Sequence, residues 1–282
     1  MRRRLAAFTM VELLVVIAII VILIAILLPV LTRVKQHAVQ IQCQANLRTI
    51  GQAMTMYTGQ YGYFPNDVLN GLGVGNSAHC WPVRLRKMLK GNQRVFYCPA
   101  QDERCQWKDD SPGTVLLANE AATNFGYELG ERLLLEVGKY FSYGYNAGGA
   151  VGGGGSPFRG MGEDGHSLVD PTVCRRGANR VTSVKSSSEF IIITDTAADG
   201  WADFHVAPNP TRAQPGMPSR SQPGFDDSLS EIHRGGSNIL FCDGHVEWHL
   251  RSKLLLKWPV VAEEAAKQRL WNADNQPSRP WP

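Results

Sequence analysis

Asp195, His233, Asp243 and His245 are the residues whose types suit a metal centre. Aspartate and histidine ligate zinc or manganese when a fold gathers three or more of them. The weak candidate ligands are Asp195, His233 and Asp243. Each also has a structural reading. Asp243 precedes Gly244, and Asp-Gly is a hairpin turn pair whose glycine accepts positive φ. His233-Arg234-Gly235-Gly236 reads as a turn in which the histidine bonds the neighbouring hairpin backbone or Asp243. His245 falls on a strand and can face solvent. The structural reading is favoured, and no metal, cofactor or catalytic residue is expected.

Other chemistries fail on spacing. Asp195, Asp199 and Asp203 stand four apart, not the two apart of a helix–loop–helix calcium site. Gly148 to Gly155 holds six glycines in eight positions, but no Lys and Ser/Thr follow at phosphate-loop spacing. No Gly-x-Ser-x-Gly elbow supports a serine hydrolase. The six cysteines, Cys43, Cys80, Cys98, Cys105, Cys174 and Cys242, contain no Cys-x2-Cys pair. In an oxidising compartment they allow fifteen disulfide connectivities if all of them pair. A Cys43–Cys98 bridge would staple the globular part to the preceding helix, and Cys242 in an apolar strand can equally be a buried thiol.

The elements that must position these residues begin with an apolar run. Leu13 to Leu28 is sixteen residues without a polar side chain, and Phe8 to Leu31 is broken only by Thr9, Glu12 and Pro29. As a helix, 24 residues span about 36 Å, enough to cross a bilayer. Arg2, Arg3 and Arg4 hold the N-terminus in the cytoplasm, so the rest faces outward. Pro29 to Arg33 offers no small-x-small site for an ordinary signal peptidase. Glu12 is a carboxylate at the start of the span. Two readings stand: it reaches the interface near the positive end of the helix dipole, or an amine made by cleavage before Phe8 neutralises it.

Val34, Ala38, Ile41 and Ala45, then Leu47, Ile50, Met54, Tyr57 and Tyr61, read as one amphipathic face, slightly shifted midway. The predicted helix runs from Phe8 to about Gly59, near 80 Å long, and Gly62 and Pro65 end it. Trp81 to Lys90 reads as a short helix, Val95 to Cys98 as a strand, and 115–140 as partly helical. Phe141 to Asn146 and Phe190 to Thr194 read as strands, and Ile239 to Trp248 as a hairpin reversing within two residues. The 147–155 segment is a Gly-rich loop, and 207–223, with five prolines, is an extended one.

The chain has 282 residues, with 29 basic and 25 acidic side chains. Without Arg2 to Arg4 the basic count is 26, a nearly neutral chain that excludes nucleic acid as the main partner.

Phe8-Thr9-Met10-Val11-Glu12-Leu13-Leu14-Val15-Val16-Ile17 resembles the class III signal of type IV pilins and type II secretion pseudopilins. The resemblance implies that a prepilin peptidase cuts between Ala7 and Phe8 and methylates the new amine. It implies that Glu12, at the fifth mature position, guides assembly into a filament. Ala7 stands where that family nearly always has glycine.

His233, Asp243 and Gly244 form His-x9-Asp-Gly. With Cys43-Gln44-Ala45-Asn46-Leu47-Arg48, Tyr63-Phe64-Pro65, Tyr97-Cys98-Pro99 and Ser142 to Asn146, this resembles the DUF1559-related pseudopilin-like proteins. The expectation is an α+β, pilin-like fold, a long helical spine packed on an antiparallel sheet. Its parts are a leader at 1–7, a transmembrane and assembly segment at 8–31, an amphipathic segment at 32–61 and an exposed α+β domain at 62–282. The expected protein is a single-pass inner-membrane structural subunit, not an enzyme. Its partners are the prepilin peptidase, other pilin or pseudopilin subunits, an inner-membrane assembly platform and membrane lipid. The alternative is a membrane-tethered metal-binding enzyme or binding protein using Asp195, His233 and Asp243.

Overall fold

The computed structural model describes residues 10–65, 81–106, 128–130, 141–146, 180–197, 206, 229–256 and 265–276. Ala7 and Phe8, the loops at 147–155 and 207–223, Cys80, Cys174, Asp199 and Asp203 lie outside the described residues. So does the helical segment expected at 115–140, apart from a turn at 128–130.

Helix α1 runs unbroken from Met10 to Tyr61, with Pro29 inside it. Gly62 stops it at φ +74°, and its N–H still donates to Thr58 O at 2.8 Å. The helix changes character along its length. From Met10 to Ala38 every residue is exposed, and burial begins at Gln40. The buried face is Gln40, Cys43, Leu47, Ile50, Met54 and Tyr57, spaced three and four apart, with Gly51 and Ala53 beside it.

That face differs from the one expected. Leu47, Ile50, Met54 and Tyr57 dock, whereas Val34, Ala38, Ile41 and Ala45 are exposed. At 100° per residue, Ile41 and Ala45 point away from Cys43 and Leu47. The helix therefore has one stripe for its own sheet and a second apolar stripe turned outward.

The sheet has four antiparallel strands in the order β1 (Tyr143–Tyr145), β2 (Ile191–Asp195), β3 (Gly236–Phe241) and β4 (Val246–Leu250). Ile191 pairs with Phe241, but Ile193 pairs with Leu240, so a bulge lies between them. The bulge breaks the alternation of faces, which is why Ile192 and Ile193 both join the core under α1. That core also holds Leu47, Ile50, Met54, Trp81, Phe96, Tyr143, Tyr145 and Leu240. At Gly51 the helix lies so near β3 that a Cβ would stand 2.9 Å from Leu240 Cδ1.

A second core covers the other face: Ile191, Val206, Leu229, Ile239, Phe241, Leu254, Leu256 and Trp271. Two short helices beyond the hairpin, Arg251–Leu254 and Ala265–Trp271, supply Leu254 and Trp271, and Leu256 follows the first of them.

Three local expectations need correction. The helix at Trp81 ends at Leu85, and turns carry the chain to Gly91. Val95 to Cys98 is not a strand, because Gln93–Phe96 forms a 3₁₀ turn that buries Val95 and Phe96. The hairpin reverses through three residues, Cys242, Asp243 and Gly244. Phe241 N donates to His245 O at 3.0 Å and Gly244 N to Phe241 O at 2.9 Å. Only Gly244, at φ +93°, takes the left-handed conformation, and Asp243 does not.

Candidate functional site

Where α1 crosses the sheet, four segments bring chemistry-bearing side chains together. Cys43 of α1 is bonded to Cys98, with the Cα atoms 5.3 Å apart. Cys98 sits just past the 3₁₀ turn, its N–H donating to Ser142 Oγ at 2.9 Å. One helical turn below Cys43, Asn46 Nδ2 donates to Tyr97 O at 2.9 Å, so the spine grips both sides of the Tyr97–Cys98 peptide. The bridge guessed from sequence is present. Cys242 is a free thiol.

His233 presses on this bridge. Its ring is buried, with Nε2 3.3 Å from Cys98 Sγ and 3.7 Å from Asp195 Oδ2. A disulfide sulfur has no proton, so in this contact Nε2–H donates to Sγ. The backbone of His233 is fixed by a tight turn. His233 and Gly236 exchange N–H···O bonds at 3.3 and 3.2 Å, with Arg234 and Gly235 at φ +59° and +79°. His233 O accepts from Trp248 Nε1 at 2.7 Å, which ties the turn to β4.

Asp195 ends β2 with its side chain wholly buried. Oδ2 accepts from Asn238 N at 2.6 Å, and among the described residues Oδ1 has no hydrogen-bond partner. Burial outweighs the Asn238 bond and raises the Asp195 carboxyl to about 8. Burial lowers His233 to about 4. At neutral pH the two groups therefore face each other uncharged. Tyr143, paired with Asp195 across β1 and β2, is held well above the usual tyrosine range, first by burial and then by the Asp195 charge.

The expected set of Asp195, His233 and Asp243 is thus split. Asp195 and His233 meet, but the His233 ring turns to the bridge and not to Asp243. The Asp243 carboxylate is spent on its own turn, where Oδ1 accepts from His245 N at 3.1 Å and pairs with His245 Nδ1. The turn lies beside Gly51, eight residues or roughly 12 Å along α1 from Cys43. His245 faces the exposed side with Glu247 and His249, which pair at 2.9 Å. Cys43, Cys98 and His233 are the potential ligands that do converge among the described residues, their donor atoms all within 4.8 Å of one another.

Sequence reasoning missed Ser142, Asn238 and Gln44, which frame this cluster. Gln44 Nε2 donates to Asn238 Oδ1 at 3.1 Å. Asn238 lies in an apolar strand, and a buried amide there must find partners, which was the available signal.

The other site is the head of α1. Glu12 lies in its first turn, exposed. The most apolar window of α1 has no residue buried in the rest of the chain, and its length and composition suffice to cross a membrane. The prokaryotic N-terminal methylation motif matches residues 2–28. No curated protein and no solved structure matches the chain. The chain thus carries a prepilin-type signal on a membrane-anchoring helix, joined to a sheet in an α+β, pilin-like arrangement.

Proposed function

We propose that this chain is a pilin-like structural subunit, without catalytic activity, of a type II secretion or type IV pilus-like filament. A prepilin peptidase cuts between Ala7 and Phe8 and methylates the Phe8 amine. Before assembly the subunit spans the inner membrane once, with its sheet domain outside and its N-terminus in the cytoplasm. An inner-membrane platform then extracts it from the lipid and packs it against other pilin or pseudopilin subunits. The His-x9-Asp-Gly spacing of His233, Asp243 and Gly244 supports membership in the DUF1559-related group.

One observation carries the reading. Residues 10–28 of the methylation motif lie on a helix half that the other described residues leave uncovered from Met10 to Ala38. Packing between helices of neighbouring subunits covers such a half without exposing it to water. The outward stripe of Val34, Ala38, Ile41 and Ala45 extends that surface beyond the membrane. Glu12 supplies the selectivity, because a carboxylate in this apolar layer is stable only beside a cation, and the amine of a neighbouring Phe8 is one.

The test is Glu12→Ala in cells. Mass spectrometry should find the chain beginning at N-methylated Phe8 in both wild type and variant, while sheared filaments contain only wild type. A native chain that still begins at Met1, or normal incorporation of the variant, overturns the proposal.

A further inference from the structure

We propose that the reduced form of this chain binds one zinc-class divalent cation between Cys43, Cys98, His233 and Asp195. On this account the contact between α1 and the sheet has two exclusive fastenings, a disulfide or a metal ion.

The donor set is suited to such an ion. Zinc takes thiolate, imidazole and carboxylate ligands in tetrahedral sites, whose donor atoms stand roughly 3.3–3.8 Å apart. His233 Nε2 is 3.3 Å from Cys98 Sγ and 3.7 Å from Asp195 Oδ2, so two edges of the polyhedron exist already. Both sulfurs and a His233 ring nitrogen fall within 4.8 Å of one another. Asp195 adds an independent sign. Its Oδ2 is held by Asn238 N, whereas its fully buried Oδ1 has no hydrogen-bond partner among the described residues. A buried polar atom is rarely left so, and a ligated cation is one way to satisfy it. The Asn238 bond also orients the carboxylate, as outer-shell bonds do in metal sites.

The chemistry balances with a dithiol as reductant. Exchange breaks the Cys43–Cys98 bond, gives two thiols and leaves the reductant as its own disulfide. Binding of M²⁺ then forms two metal–thiolate bonds and one metal–carboxylate bond, and releases two protons from the thiols and one from the Asp195 carboxyl. A newly made chain is in the dithiol form before any oxidation. The site needs no filament, so it stands or falls separately from assembly.

The experiment uses the full chain in detergent micelles, reduced with a phosphine and freed of metal, with cobalt(II) and then zinc as probes. The reduced chain should take up one cobalt per chain with thiolate-to-cobalt charge-transfer absorption. Zinc should displace the cobalt and shield Cys43 and Cys98 from alkylation, and the oxidised chain should give no such band. Cys98→Ser should abolish the band, and Asp195→Asn and His233→Ala should each weaken binding at least tenfold. No band from the reduced wild type overturns the proposal, as does binding untouched by both Asp195→Asn and His233→Ala. If the reduced chain loses its tertiary circular-dichroism signal, recovery on adding zinc supports the site and failure to recover overturns it.

Discussion

His233 Nε2 lies 3.3 Å from Cys98 Sγ, so this histidine is a wedge behind the bridge that joins spine and sheet. Asp243, ten residues on, is a surface turn residue. The two ends of the His-x9-Asp-Gly spacing therefore serve different sites, about two helical turns apart along α1. His233 locks the upper crossing of α1 over the sheet, and Gly244 shapes the turn that approaches Gly51 below it.

His233→Ala should cost about 2–4 kcal/mol, from the cavity a buried ring leaves and the contacts it loses. Asp243→Ala should cost about 1 kcal/mol or less, because its bonds are exposed to water. Urea unfolding midpoints of the two variants in detergent micelles check this. Equal midpoints would show that the two residues share one role.

Gly244→Val should cost about 1–3 kcal/mol, since a β-branched residue is strained at φ +93°. Asp243 does not take a positive φ, so Asp243→Ser at the same turn should stay within about 1 kcal/mol of wild type. Thermal melts of the pair read the difference, and the reverse order would contradict the observed turn.

Breaking the bridge should be costly. Cys43 and Cys98 are 55 residues apart, and in the chain-entropy model closing such a loop is worth about 4 kcal/mol. Cys43→Ser combined with Cys98→Ser, in the presence of a chelator, should therefore lower stability by about 2–4 kcal/mol. The loss should fall on the junction, so hydrogen exchange should rise first at residues 40–47 and 96–98. Uniform loosening of the whole sheet would argue against it.

Stability should fall above pH 6.5. His233 is lowered to about 4, so between about 4 and 6.5 the unfolded chain holds a proton that the folded ring refuses. That contribution increases stability as pH rises. Asp195 is raised to about 8, so from about 4 to 8 the folded carboxyl keeps a proton that the unfolded chain has lost. That contribution decreases stability as pH rises. The two oppose each other up to about 6.5, and above it only the Asp195 decline remains, at about 1.4 kcal/mol per pH unit. Asp195→Asn should remove that decline and leave the His233 rise. Unfolding free energies from pH 5 to 8 test this, and a parallel profile in the variant would assign the slope to other groups.

The apolar run to Leu28, the helix through Tyr61, the strand after Phe190 and the Asp-Gly hairpin were all legible in the sequence by itself. Each rests on local rules, and no distant residue had to be known: a run long enough for a bilayer, a period of 3.6 or 2, a glycine where φ must be positive. The Val95 to Cys98 strand failed because a short apolar run has no period of its own, and burial of Val95 and Phe96 under α1 selected a 3₁₀ turn. The docking face of α1 was decided only in three dimensions. Both of its apolar stripes satisfy helical periodicity, and contact with Leu240 and Tyr143 chose the one carrying Cys43. Which of its candidate partners Asp195 meets was likewise decided in three dimensions: His233 and not Asp243. Cys43, Cys98, Asp195 and His233 belong to four separate segments, and only the order of the strands beneath the spine makes them neighbours. The buried Asp195 carboxyl and His233 imidazole then change their protonation because the surrounding core removes water, an effect of packing and not of residue type.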